Sequence, residues 1–243
     1  MRPTPKPPDD ATPDANRPLT RDPVNQHLFD VRAEIGDTHL GLMNNQCWHE
    51  DPRRMLFSMS RYKFVSKLFS GRANVLEIGC GDGFMSRIVR QAVERLTITD
   101  YDPLFIDEFN ATQDPAWPVE AKTHDMLAGP LLGRFDAAYS LDVLEHIGAE
   151  QEDVFLGNIA ASLGDAAAAI IGMPSLESQA YASPMSKAGH INCKTGPDLK
   201  QTMERHFDQV FIFSMNDEVV HTGYHKMAHY LLALCCGKKT RMG

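Results

Sequence analysis

Three glycines, Gly79, Gly81 and Gly83, interrupt an otherwise apolar run in the stretch NVLEIGCGDGFMSRIV. Glycine inside an element costs conformational entropy, so three of them in alternation indicate a turn whose backbone must bend or approach a ligand closely. A glycine-rich turn between a strand and a helix presents backbone N–H groups that bind nucleotide-like ligands at the edge of an α/β sheet. The stretch therefore predicts a nucleoside site, with a tight packing contact between strand and helix as the alternative.

Two carboxylates follow at positions that suit an adenosine. Asp100 ends the predicted strand after the glycines, and Asp125 follows the next predicted strand. A carboxylate at the first of these positions can accept hydrogen bonds from both ribose hydroxyls, and one at the second could accept from the adenine amino group. Phe84 stands where a dinucleotide-binding fingerprint has its third glycine, which argues against a nicotinamide cofactor.

The elements that must position these residues alternate between strand and helix along the middle of the chain. Such alternation predicts parallel strands joined by right-handed crossovers. Strands are predicted at NVLEIG, LTITDYD, VEAKTHD, RFDAAYSLD and AAAAIIGMP, and helices at GFMSRIVRQAVERL, PLFIDEFN and EQEDVFLGNIAASL. Further on, a predicted helix at GPDLKQTMERHF precedes two strands, DQVFIFSM and AHYLLALCC. The residues that join these two strands have no helical pattern, so the strands should pair antiparallel.

Composition limits the partners and the compartment. A formal charge of −8 and a pI near 5.6 argue against nucleic-acid and membrane partners, because both need a concentrated basic face. The five cysteines include no C-x-x-C pair, which favours a reducing compartment over a disulfide scaffold. The sequence shows no apolar leader and no apolar run of about 20 residues, so it predicts a cytoplasmic protein.

Four segments are predicted from changes in composition and periodicity. Residues 1–23, rich in Pro, Asp and Thr, should form a disordered tail. Residues 24–71 have apolar side chains at helical spacing and should form a helical lid. The main domain should span 72–237, and 238–243 should be a basic tail.

Four motifs occur in a fixed order between Asn74 and Ile147, namely VLEIGCGDG, TDYDP, HDM and FDAAYSLDVLEHI. They resemble motifs I, post-I, II and III of class I S-adenosylmethionine-dependent methyltransferases, most closely the small-molecule branch of ubiquinone-biosynthesis and sugar methyltransferases. The resemblance covers about Arg54 to Cys236. It implies an α/β, Rossmann-like, doubly wound sheet of seven strands with helices on both faces. That sheet would be mostly parallel, with an antiparallel C-terminal hairpin strand.

The resemblance also implies which residues hold the cofactor, S-adenosylmethionine, and its product, S-adenosylhomocysteine. Arg61 is similar to an arginine that meets the cofactor carboxylate, although it could equally be a solvated helix residue. The resemblance places the methionine part of the cofactor at Glu77, Gly79, Cys80, Gly81 and Gly83, and the ribose at Asp100. It places the adenine at Tyr101, Asp125 and Met126, and the sulfonium at Ser140, Leu141 and Asp142.

Methyl transfer to an oxygen acceptor needs a general base, most often a histidine. His190, in the long segment after the fifth predicted strand, is the first candidate, and His146, after the fourth, is the second. A packing role is the alternative for each. Because long segments without secondary structure are uncommon unless functional, the one carrying His190 is predicted to be a substrate-binding lid. Tyr181, His221 and Tyr224 are the predicted substrate contacts.

A metal site at His221, His225 and His229 is considered and rejected. Their spacing would align them on a helix, but His229 begins the predicted strand HYLLALCC and Gly223 lies between the first two. The sequence thus predicts no metal. It predicts methyl transfer from S-adenosylmethionine to a nucleophilic O or N of a sugar, polysaccharide precursor or secondary metabolite. The alternatives are a non-catalytic cofactor-binding protein and an NAD(P)-dependent oxidoreductase.

Overall fold

Eight strands form one sheet within residues 18–239, the part of the chain that the computed structural model describes. The strands are β1 (Val75–Ile78), β2 (Leu96–Asp100), β3 (Glu120–Thr123), β4 (Phe135–Leu141), β5 (Leu163–Pro174), β6 (Phe207–Asn216), β7 (Val219–His221) and β8 (Tyr230–Lys238). Most of the predicted N-terminal tail, 1–17, lies outside the described residues, as does 240–243 of the predicted basic tail.

The strand order is β3-β2-β1-β4-β5-β8-β6-β7. The first five strands are parallel, and β8 runs antiparallel to both β5 and β6. The predicted α/β, mostly parallel sheet with an antiparallel C-terminal hairpin is therefore confirmed. Crossover connections place the carboxyl ends of β1, β2 and β4 along one edge of this sheet.

The sheet has eight strands where seven are expected, because β7 forms inside the connection predicted only to have no helical pattern. A tight turn with Asp217 at a φ of 49° folds β7 back onto β6, pairing Val219 with Asn216 and His221 with Ser214. Only three residues long, this strand is too short to produce a readable alternation of apolar and polar residues.

Residues 18–239 also form eight α-helices. They are α1 (His27–Ile35), α2 (Leu42–Glu50), α3 (Arg53–Leu68), α4 (Ser86–Arg90), α5 (Pro103–Thr112), α6 (Glu152–Ser162), α7 (Pro184–Gly189) and α8 (Gly196–Glu204). Two compact units divide after His39, so α1 belongs to the first unit and the sheet with α2–α8 to the second. None of the helices in the described range is long and apolar enough to cross a membrane.

Two apolar clusters cover the two faces of the sheet, which confirms helices on both faces. In β4, the side chain of Ala138 joins the cluster that contains α6 and α8, whereas that of Tyr139 joins the cluster that contains α3. Alternate residues of a strand point to opposite faces, so a strand buried on both sides reads as a continuous apolar run.

Two predictions about where helices occur are wrong. The helix predicted across GFMSRIVRQAVERL is only α4, because the N–H of Glu94 bonds to the carbonyl of Arg72 and that of Gly71 bonds to the carbonyl of Ala92. The segment after β5, predicted to lack structure, contains a short 3-10 helix (Glu177–Tyr181) and α7. Ser183 caps α7, and Pro184 occupies its first turn.

Candidate active site

The glycine turn follows β1 directly and needs its glycines for two reasons. Gly79, Gly81 and Gly83 have φ values of 75°, 53° and 68°, which side chains rarely adopt. A Cβ on Gly79 would also lie 2.2 Å from the Val143 side chain, and one on Gly83 would lie 2.5 Å from Phe109. The predicted close, bent turn is present.

Helix α2 packs on this turn. Asp82 accepts hydrogen bonds from the backbone N–H of Asn44 at 2.8 Å and from its side-chain amide at 2.7 Å. Asp82 therefore supplies the N-terminal cap that Gly41, at the start of α2, lacks a side chain to supply. Met43 lies against Gly81, where an added Cβ would be 2.6 Å from its sulfur.

Asp100 lies at the carboxyl end of β2, buried beside the turn. Its Oδ2 accepts the N–H of Gly81 at 2.9 Å, and its Oδ1 accepts the N–H of Asp102 at 3.0 Å. Each carboxylate oxygen accepts two hydrogen bonds, so one site remains on each oxygen. These two remaining acceptor sites suit the hydroxyls of a ribose diol, the contact that the sequence predicts. Tyr101 beside it is 77% exposed, free to cover a flat ring.

The side chain of Glu77, in β1, is buried in the interior. Its carboxylate accepts the hydroxyl of Tyr62 at 2.8 Å and that of Tyr139 at 2.6 Å. Burial raises the pKa of Glu77, although these hydroxyls work against the rise. Burial also raises the pKa of the neighbouring Cys80 thiol far above its usual value. Both residues shape the turn, and their side chains are turned away from solvent.

The predicted adenine contacts divide between surface and core. Asp125 is exposed, and its Oδ1 accepts the N–H of Leu127 at 2.8 Å. The Met126 side chain is buried in the cluster on the α6 face, and its carbonyl accepts the side-chain amide of Asn158. The Met126 side chain therefore packs in the core, which leaves its main chain for the predicted adenine contact.

Arg61 and Asp142, two predicted cofactor contacts, bind each other. The Arg61 Nη1 donates to both carboxylate oxygens of Asp142, at 2.9 and 2.7 Å, and its guanidinium stacks 3.8 Å over the Tyr230 ring. Its Nε is buried and has no hydrogen-bond partner among residues 18–239. Arg61 is thus no solvated helix residue. Asp142, just after β4, has a φ of 58°, and before it the buried Ser140 and Leu141 complete the strand.

The side chains of the two candidate bases lie next to each other, although the residues belong to different segments. The rings of His146 and His190 are 5.2 Å apart at 67°. His146 ends a short 3-10 helix after β4, and His190 follows α7. Glu145 joins them: one of its oxygens and one ring nitrogen of each histidine lie within 4.8 Å of one another.

Hydrogen bonds orient both imidazoles in the same way. The Nδ1 of His146 lies 2.8 Å from the carbonyl of Gly189, and the Nδ1 of His190 lies 3.0 Å from Oε1 of Gln179. The Gln179 amide nitrogen donates to the carbonyl of Ser175, which fixes the amide orientation. Both Nδ1 atoms therefore carry the proton, and the Nε2 lone pairs remain available. Burial, with the nearby His146, lowers the pKa of His190.

Glu145 is a candidate site residue that sequence reasoning missed. Its side chain is fully buried, and neither carboxylate oxygen has a hydrogen-bond partner in the described part of the chain. Burial and the neighbouring Asp142 raise its pKa well above the usual range, and Arg61 offsets this only in part. The adjacent Glu-His pair in DVLEHI was the available signal.

Comparison with known families decides what this arrangement belongs to. A family model described as "Methyltransferase domain" matches residues 47–206, more than half of the chain. This chain belongs to that methyltransferase family. The expected class I S-adenosylmethionine-dependent methyltransferase fold is confirmed, and so is S-adenosylmethionine as the cofactor.

Solved methyltransferase structures share this fold. The N-methyltransferase NodS from Bradyrhizobium japonicum WM9, solved with S-adenosyl-L-homocysteine, has a TM-score of 0.56 at 18% identity, covering 78% of this chain and 91% of NodS. A TehB-like methyltransferase from Corynebacterium glutamicum has a TM-score of 0.58 at 17% identity, covering 89% of this chain and 100% of the TehB-like chain. The DhpI complex with S-adenosylhomocysteine has a TM-score of 0.57 at 13% identity, covering 81% of this chain and 92% of DhpI. Such identities show the fold alone, and a search of curated proteins found no significant match.

The predicted substrate contacts of this methyltransferase lie on two segments, one after β5 and one between β6 and β8. Tyr181 is 92% exposed at the end of the 3-10 helix after β5. His221, in β7, bonds through Nε2 to Asn216, and Tyr224 is exposed in the turn that follows. His225 lies in a 3-10 helix and His229 just before β8, so no helix aligns these histidines.

A charged network fixes the chain beyond His190. Glu152, buried at the start of α6, accepts the side-chain amide of Asn192 at 2.9 Å and the ammonium of Lys194 at 2.7 Å, and it also pairs with Arg205. The backbone N–H of Asn192 in turn donates to the carbonyl of Glu145. The methyltransferase thereby ties the segment that carries His190 to the segment that carries Glu145 and His146.

Proposed function

We propose that this methyltransferase transfers the methyl group of S-adenosylmethionine to a nucleophilic oxygen or nitrogen of a small molecule. A sugar, a polysaccharide precursor or a secondary metabolite is the proposed acceptor class. The observation that carries the proposal is the pair of imidazoles, His146 and His190, whose Nε2 lone pairs remain available near the carboxyl end of β4. A hydroxyl or amine acceptor has a proton to lose, and this pair can accept it.

The chain's own residues supply binding and orientation. Bound S-adenosylmethionine supplies an electrophilic methyl group on sulfur. Asp100 has an accepting site left on each oxygen for the ribose hydroxyls, and the buried Nε of Arg61 has a proton to donate to a carboxylate. Holding two reactants in attack geometry contributes up to about 7–11 kcal/mol toward a displacement of this kind.

The small-molecule acceptor and the cytoplasmic location stay predictions that rest on composition. A formal charge of −8 supports an acceptor other than nucleic acid, because a polyanion would meet repulsion. The long segment after β5, with its exposed Tyr181, supports a surface that receives a small ligand.

The proposal is tested by following S-adenosylhomocysteine formation with a panel of hydroxyl and amine acceptors. Replacing His190→Ala should lower turnover at least about 100-fold, because the acceptor's proton loses its destination. Affinity for S-adenosylhomocysteine should stay unchanged. His49→Ala, an exposed histidine on α2, is the matched control and should keep wild-type turnover. Wild-type turnover in His190→Ala would remove this residue from catalysis, and no turnover with any acceptor would contradict the proposed acceptor class.

A further inference from the structure

A fully buried carboxylate without a partner stands out beside the two histidines. Glu145 is 0% exposed, and both of its oxygens lack a hydrogen-bond donor among the described residues. A buried polar group left without a hydrogen-bond partner is costly, so such a group requires an explanation. Arg61, a nearby cation, is already engaged by Asp142. A cation from solution would supply the missing partner of Glu145.

The two neighbouring imidazoles present the lone pairs that a cation needs. Each histidine donates its Nδ1 proton to an oxygen, His146 to the carbonyl of Gly189 and His190 to the amide oxygen of Gln179, which leaves Nε2 as the nitrogen with a lone pair. Histidines that bind metals through one nitrogen almost always donate the other ring N–H to such an oxygen, which fixes ring orientation and tautomer. The outer hydrogen bonds of a metal site are therefore in place here. The exposed edge of His146 leaves solvent access.

We propose that Glu145, His146 and His190 bind a divalent transition-metal ion, with zinc as the best-matched ion. Two imidazoles and one carboxylate form a ligand set that zinc accepts while keeping a further position open. The ligand atoms lie within 4.8 Å of one another. Ligands of tetrahedral zinc lie about 3.3 Å apart, given bonds of about 2.0–2.1 Å. Closing by up to about 1.5 Å is within the reach of small rotamer changes.

The chemistry of the ligands also separates the candidate ions. Imidazole nitrogen suits zinc and its transition-metal neighbours, whereas magnesium and calcium prefer sites made of oxygen alone. The only carboxylate of the cluster is Glu145.

The position left open on the ion is where an acceptor oxygen could bind. With zinc bound, both imidazoles are ligands and do not accept the proton; an acceptor oxygen held at the open position would instead lose its proton to solvent more readily, because a bound divalent ion stabilises the anion. This consequence rests on the proposed function, whereas metal binding itself does not.

The test is calorimetric titration of zinc into the full chain after metal removal, beside Glu145→Gln, His146→Gln and His190→Gln. Glu145→Gln keeps the size of the buried side chain, so the fold should be retained, and circular dichroism checks this. Wild type should bind one tight zinc ion, and each variant should bind it at least about 100-fold more weakly. Glu150→Gln, an exposed carboxylate five residues from Glu145, is the matched control and should bind as wild type.

Zinc binding of equal strength in wild type and all three variants would overturn the proposal, since the ion would then sit on other side chains. Failure of the wild-type chain to bind zinc would overturn it as well. Titration of S-adenosylhomocysteine in parallel separates this inference from the proposed function. A chain that binds zinc at these residues but has no methyl acceptor would retain the metal site and contradict only the transfer.

Discussion

At the scale of single residues, Glu77 shows how a motif residue can serve the fold that carries the site. Its carboxylate accepts two tyrosine hydroxyls, one from α3 and one from β4, whose rings meet edge-on at 6.0 Å. Hydrogen bonds to a charged group are worth about 1.5–3 kcal/mol each. These hydrogen bonds join β1, the strand before the glycine turn, to α3 and to β4, which holds the turn in place.

Replacing Tyr139→Phe should therefore lower the free energy of unfolding by about 1.5–3 kcal/mol, because Glu77 loses one of its two donors. Urea unfolding followed by circular dichroism measures this. Tyr181→Phe, a 92% exposed tyrosine, is the control and should change stability little. Equal stability of both variants and wild type would show that the hydroxyl of Tyr139 contributes nothing.

At the scale of elements, the sequence predicts the strands better than the helix ends. Dense apolar runs bounded by turns mark β1, β4 and β5, and all five parallel strands are found at their predicted places, although β3 is polar and largely exposed. Helix α4 ends early because residues 91–94 bond to the chain near Gly71, a contact made from a distance along the sequence. Strand β7 arises from a turn at Asp217 rather than from any pattern in its own residues.

In the candidate site, too, local features are predicted from the sequence and contacts between distant segments are not. Motif residues such as Asp100 lie where the sequence predicts, because each follows directly from the end of a strand. Pairings across segments could not be predicted, and these include Arg61 with Asp142 and Glu145 with the two histidines. They depend on how α3 and α7 pack, which no local pattern encodes.

At the scale of the whole molecule, Glu152 joins three separate parts of the chain. It lies in α6 and binds Asn192 and Lys194 beyond His190, together with Arg205 after α8. Burial alone would raise the pKa of Glu152, but these donors outweigh it and hold the pKa below its usual value. Because the folded-state pKa is depressed, the stability that Glu152 contributes is present above its unfolded-state pKa, about 4.3. It is lost as the pH falls through the folded-state value.

Glu152→Gln should lower the free energy of unfolding at pH 7 by about 3 kcal/mol, because the largely buried ammonium of Lys194 is left without its carboxylate. The difference from wild type should shrink as the pH falls below about 4.3, where the wild-type carboxyl takes up its proton. Urea unfolding at a series of pH values measures both effects. Glu204→Gln, in an exposed ion pair of α8, is the control and should change stability by less than about 1 kcal/mol. A constant difference at all pH values would contradict the assignment.

The central claim, that the turn after β1 and the carboxylate after β2 hold S-adenosylmethionine, is tested most directly by calorimetric titration with S-adenosylhomocysteine. Asp107→Ala, an exposed aspartate on α5, is the matched control for Asp100→Ala. Wild type and Asp107→Ala should bind equally, and Asp100→Ala should bind at least about 100-fold more weakly, since two hydrogen bonds to a charged group are lost. NAD, titrated in parallel, should not bind. Unchanged affinity in a folded Asp100→Ala, or binding of NAD in place of S-adenosylhomocysteine, would contradict the account.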